Sequence, residues 1–317
     1  MATLGEEAGT LAREINTVET SQKIVNGTPQ NIANTIWAMQ QMKLACPEFV
    51  AEIIRDADRI MANGNPQHVS NIAYALADLG YFDKSLFVAV AGQAERITRH
   101  GTDQCLCNLL WTFAVAGRLK ENEEAVKVLW REVNKRDEDR FSFEEWQQLK
   151  IASLFAGCEG VDLAKSEGHQ QKMDEASLLS ISGSSRFEDE IVKELKSFGF
   201  EGFTREVFPF PGDEGGELLK IDIAFEKERV ALELDGPTHF LTTLVRRKKG
   251  DEKEKPKPIR DGPTKAKTRL MKKLGWQVSR HSYLNNRKLN TGSEEVRKNF
   301  WVKKLGKLGV EKTTTKT

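Results

Sequence analysis

At 317 residues, with 39% hydrophobic and 30% charged residues, the chain is long enough for two folded domains and too apolar to be disordered throughout. No apolar run approaches the length of a membrane span, which sets membrane insertion aside. The formal net charge of +1 conceals a division: residues 242–317 hold 23 Lys and Arg against 7 Asp and Glu, a net of +16, which leaves −15 on the remainder and makes the basic end a candidate for binding a polyanion.

Residues 1–22 read as an N-terminal helix or extension. Glu6, Glu7, Glu14 and Glu19 face Arg13 alone there, the reverse of a basic, acid-poor import presequence, so no presequence is visible. Four cysteines, Cys46, Cys105, Cys107 and Cys158, lack zinc spacing. They are expected as buried free thiols in a reducing compartment.

From 23 to 157 the chain repeats itself. Gln30 to Ala38 matches Gln67 to Ala75 and Gln104 to Thr112, each 37 residues after the last, and Trp146 to Ala152 is a degenerate fourth copy after a spacing of 40. Within a unit, apolar residues such as Ile32, Ile36 and Met39 fall at helical spacing, and a second amphipathic helix follows, over 47–62 or 84–98. Pro29 and Pro66 suit a first helical turn. Each unit therefore predicts a helical hairpin that must stack on its neighbours, giving an α-helical repeat solenoid. Asn34, Asn71 and Asn108, with Trp37, Tyr74 and Trp111, recur in every copy and are expected to maintain the stack. Positions that vary, Asn31, His68 and Cys105, are the better candidates to read bases. A second role for such a stack is to hold protein partners.

Residues 158–184, rich in Gly, Ser, Glu and Lys, read as a linker. Over 185–310 the pattern predicts helix, three strands, helix, strand and helix, followed by a basic tail at 311–317. Ser184 or Ser185 with Glu188 gives a capping signal for the first of these helices. Its centre is IDIAFEKERVALELDGPTHF at 221–240, two strand-length apolar runs joined by a charged turn. Side chains alternate along a strand, so Glu233 and Asp235 leave one face and Leu232 and Leu234 the other, with Asp222 between Ile221 and Ile223. Acids in an apolar strand are costly unless paired, hydrogen-bonded or bound to a metal.

The run DIAFEKERVALELDGPTHF, with GPTKAKTRLMKKLGWQVSRHSY at 262–283, resembles the RAP domain, an RNA-binding module abundant in apicomplexans and found in organellar proteins. The resemblance covers residues 217–288, and its marks are Asp222, Glu233, Asp235-Gly236-Pro237, His239, Gly262, Thr264, Lys267 and Gly275-Trp276. The helical repeats resemble the heptatricopeptide type that accompanies such domains. The resemblance implies a restriction-endonuclease-like αβββαβ fold, mitochondrial or plastid location, and RNA partners such as rRNA or organellar transcripts, in RNA processing or ribosome assembly.

Two roles for the acids stay open. Asp222, Glu233 and Asp235 are hard oxygen ligands suited to Mg²⁺, which makes an endoribonuclease one reading. The superfamily's usual lysine is replaced by Asp235, so Lys265 or Lys267 on the next helix would supply the charge. Glu188 or Glu190 would add a ligand, and His239 would act as general base. The other reading needs no cofactor: the acids are structural and the domain grips RNA, with Lys265, Lys267, Arg269, Lys272, Lys273 and Arg280 on phosphates.

Overall fold

The computed structural model describes residues 17–178, 185–210, 219–243 and 258–312, in two compact units: Met1–Ala176 with Phe240–Ala266, and Ser177–His239 with Lys267–Thr317. Among the described residues the fold is mixed α/β, predominantly helical with two small sheets. The strands, in chain order, are β1 Leu44–Ala45, β2 Thr204–Val207, β3 Ile221–Phe225, β4 Val230–Asp235, β5 Phe240–Thr243, β6 Ile259–Arg260 and β7 Gln277–Ser282. Among the described residues no helix is long and apolar enough to cross a membrane.

In the first unit the helices Pro29–Gln41, Pro66–Asp78, Asp103–Ala116 and Phe143–Glu159 open four successive hairpins, and each packs on the next. Thr28, Asn65, Thr102 and Ser142 cap them, each side chain accepting the backbone N–H three residues on, which satisfies one of the orphan donors of the first turn. The second helices depart from expectation. Residues 47–62 form Pro47–Arg55 and Ala57–Asn63, and 84–98 form Lys84–Ala91 and Ala94–His100.

The expected linker is also corrected: Glu167–Leu178 is a helix and completes the fourth hairpin. It carries few apolar residues, but Met173 and Ala176 are buried, and Lys150 Nζ lies 2.7 Å from Asp174. Residues 179–184 lie outside the described ones.

A recurring arginine joins successive hairpins. Arg59 Nη2 donates to Val25 O (2.6 Å), Arg96 Nη1 and Nη2 to Gly64 O and Met61 O (2.6 and 2.8 Å), and Arg136 Nη2 to Gly101 O (3.2 Å). Each places a cation on the unpaired carbonyls at the end of the preceding helix, where the macrodipole is negative. Arg59 contacts the end of the helix Val18–Val25 as Arg96 contacts the end of Ala57–Asn63, so Val18–Val25 takes the place of a second helix.

The same unit holds a segment from much later in the chain. β5 pairs in parallel with β1 and antiparallel with β6. Lys43 sits at φ 50, the left-handed place that Gly80 (φ 80) and Gly117 (φ 70) fill after the corresponding helices of the next two repeats. Its ammonium lies 3.1 Å from Asp78 Oδ2 and 3.0 Å from Asp261 Oδ2, and its carbonyl accepts from Thr242 N at 2.7 Å. Gly262 approaches so closely that a Cβ there would lie 1.7 Å from Ala77 O. Residues 242–243 and 258–262 are thus held in this unit, while residues 244–257 lie outside the described ones.

In the second unit the sheet order is β2-β3-β4-β7, with the first two pairings antiparallel and β4–β7 parallel. The expected strand and helix order holds apart from β5 and β6, which come before the helix Gly262–Lys273, and one further helix, Tyr283–Leu289. One face of β4, through Val230, Leu232 and Leu234, packs with Ile191, Leu195, Trp301 and Leu305 from the helices Arg186–Ser197 and Glu294–Gly306. On the other face Ala231 packs with Met271 and Trp276. Both faces are covered, and all six residues of β4 are buried.

Candidate functional site

Glu233 and Asp235 share the β4 face of Ala231, with exposures of 1% and 0%. Burial of two carboxylates on one covered face demands cations, and the neighbouring elements supply them. Parallel pairing sets Arg280 of β7 in register with Glu233. Its guanidinium turns to Asp235, Nε donating to Oδ1 (2.9 Å) and Oδ2 (3.1 Å), and Nη2 donates to Oδ1 as well. Thr268 Oγ1 accepts from Arg280 Nη1 at 2.8 Å. Lys267 Nζ lies 2.7 Å from Glu233 Oε2 and 3.7 Å from Asp222 Oδ1. Asp222 Oδ2 accepts the Leu234 backbone N–H at 2.6 Å, just past the last ladder pair, Ile223↔Leu232.

The electrostatics follow from this packing. Burial pushes the Glu233 carboxyl above the ordinary glutamate range; Asp222 adds to this, while Lys267 and Arg280 pull it back. Burial opposes the charge on Lys267, but Glu233 and Asp222 together hold its pKa above the usual value. Glu188 is raised too, by burial and then by Asp222. One atom stands out: Glu233 Oε1 is buried and accepts no hydrogen bond among the described residues.

The three expected metal ligands are not gathered as a metal site. Among the described residues no group of three or more His, Cys, Asp or Glu is placed to hold an ion. Both oxygens of Asp235 are engaged by Arg280, and Asp222 Oδ2 by a backbone amide. Mg²⁺ needs several free oxygens in near-octahedral array, and the acids as arranged do not fit it. His239, the expected base, ends the 3₁₀ turn Pro237–His239 and is half-buried.

The expected phosphate contacts divide by burial. Arg280 and Lys267, with side chains 10% and 20% exposed, are held by the acids. Lys265 donates to Gly80 O at 3.1 Å in the first unit, and burial pushes its pKa down. Arg269 is half-buried, whereas Lys272 and Lys273 are exposed. No family model matches the sequence, and no curated protein matches it. On the repeats Asn31 is exposed and His68 half-buried, but Cys105 is buried. Tyr74 and Trp111 pack together as expected, with centroids 4.6 Å apart, whereas Trp37 is 52% exposed.

Sequence reasoning passed over Thr268 and Arg229. Thr268 carries no signal of its own. Arg229, at φ 53 in the charged turn before β4, lays its guanidinium 4.3 Å from the centroid of the Trp276 ring and donates to Leu274 O at 2.5 Å. Gly275, at φ 83, ends the helix Gly262–Lys273: Gly275 N donates to Lys272 O and Trp276 N to Met271 O, the paired bonds of a left-handed helix stop. The Gly275-Trp276 pair is thereby explained as a helix terminator and a core residue.

Proposed function

We propose that the chain is an RNA-binding protein whose second unit acts as a RAP-type, endonuclease-like module in organellar RNA metabolism, with its acids serving structure. The carrying observation is the bidentate Arg280–Asp235 pair beside Lys267–Glu233: each buried carboxylate already has a cation, as in a site built for stability rather than turnover. The strand and helix order of the second unit and the net +16 of residues 242–317 support the same reading. Fold likeness alone carries no activity.

The experiment is equilibrium binding of single-stranded RNA to the full chain at several salt concentrations. Expected is binding that weakens steeply with salt, with no cleavage in Mg²⁺. An absence of RNA binding at low salt would remove the proposal.

A further inference from the structure

Three chain segments of the second unit meet at Gln277, each bringing exposed cations. Gln277 N donates to Arg229 O at 2.7 Å, and its side-chain amide donates to Glu228 O and Leu308 O, both at 3.4 Å. The first segment is the turn with Lys227 and Arg229, the second the end of the helix Gly262–Lys273 with Lys272, and the third the end of the helix Glu294–Gly306 with Lys307. Lys227, Lys272 and Lys307 are exposed, and none enters an ion pair among the described residues. Arg229 is exposed as well, fixed by its bond to Leu274 O and by the Trp276 ring. Glu226 and Glu228 are the opposing charges in the turn, and Glu226 Oε1 already accepts Thr204 Oγ1 at 2.7 Å.

We propose that this junction of Lys227, Arg229, Lys272 and Lys307 is the phosphate-backbone contact for single-stranded RNA, which rests on the RNA-binding function proposed above. The junction lies at the amino end of β4, and Glu233, the nearest acid of the cluster on that strand, follows four residues after Arg229, about 13 Å away at the rise of a strand. Repulsion between the acids and a phosphate chain is screened over that distance, which exceeds a Debye length at physiological salt. Compact, flexible lysine ammoniums contributed by three separate segments suit a backbone tracked without base readout. A lipid surface would call for exposed apolar side chains beside the charge; here Trp276 is buried and Leu274 and Leu308 are half-buried.

The test measures labelled oligouridine binding to the full chain against salt for wild type, for Lys272→Gln/Lys307→Gln, and for Lys193→Gln/Lys196→Gln, an equal charge change on the exposed side of the helix Arg186–Ser197. Expected for the first pair is about a tenfold loss at low salt and a salt slope smaller by about 0.7 per lysine, with less than a twofold loss for the second pair. Equal losses in both pairs, or no loss in the first, overturn the junction while leaving RNA binding standing. No binding by wild type overturns RNA binding itself. Binding of wild type to anionic phospholipid vesicles that is lost in the first pair, with RNA binding intact, assigns the junction to a membrane surface and overturns the proposal.

Discussion

Arg280 engages both carboxylate oxygens of Asp235 from the adjacent parallel strand, at 2.9 and 3.1 Å, with Asp235 fully buried. Arg280→Ala leaves a buried carboxylate without its cation and should destabilise the protein by about 3–5 kcal/mol in urea unfolding. RNA affinity, measured where the variant is still folded, should be unchanged. A stable Arg280→Ala protein that binds RNA weakly would instead make Arg280 a phosphate contact.

Lys43 holds a left-handed backbone where the next two repeats have glycine, and it bridges Asp78 and Asp261. Both acids are buried, so Lys43→Ala should lower stability by about 2 kcal/mol, a figure reduced for the partial exposure of the lysine. Lys43→Gly loses the same ion pairs but relieves the backbone, and should recover about 1 kcal/mol relative to Lys43→Ala. Equal stability of the two variants would show that the turn relaxes.

The 37-residue period and the acid-bearing hairpin were legible because each has a strong local signal: fixed spacing in one case, alternation around a charged turn in the other. The docking of residues 240–243 and 258–266 in the first unit was not legible, since β1 and β6 are two residues long and such runs carry no periodicity. The destination of Arg280 was hidden for a different reason. Its position opposite Glu233 exists only once β7 lies parallel beside β4, and that is a tertiary fact. The arginine series was within reach: Arg59 and Arg96 keep the 37-residue spacing, and Arg136 follows after the same 40-residue step that separates the third and fourth copies.

That series predicts a graded response. Arg96 binds two carbonyls of the preceding hairpin and Arg59 one, so Arg96→Ala should cost about 2 kcal/mol, more than Arg59→Ala, in chemical denaturation. The reverse ranking would show that the helix-end carbonyls are satisfied by solvent.

His281 is fully buried among Phe187, Phe300 and Trp301, and its Nε2 lies 3.2 Å from Asn286 Oδ1. Burial, with Lys304 adding to it, pushes its pKa down to about 4. The folded state thus favours the neutral ring. A depressed folded pKa contributes stability that is present above the unfolded value near 6.5 and lost as pH falls towards about 4. The loss should approach about 3 kcal/mol at most, at about 1.4 kcal/mol for each unit between those values. His281→Phe keeps the aromatic packing and removes the titration, so its stability should fall less steeply over this range. An unchanged slope would assign the acid sensitivity to other groups.

Glu233 decides between structure and turnover. Its Oε2 is held 2.7 Å from Lys267, and its Oε1 accepts no hydrogen bond among the described residues. If the carboxylate is structural, Glu233→Gln replaces a charge-assisted contact by a weaker one beside a half-buried ammonium. Unfolding free energy should then fall by about 1–3 kcal/mol. RNA binding below the melting temperature should stay near the wild-type value, because the residue is buried and cannot touch a phosphate chain. Asp222→Asn should act in the same direction, because the Leu234 amide would face a neutral acceptor in place of a carboxylate. Neither variant should change the fate of the RNA, since the wild type is expected to leave it uncut in Mg²⁺ or Mn²⁺. Cleavage by the wild type that disappears in Glu233→Gln at unchanged stability would make the acids catalytic and displace the structural account.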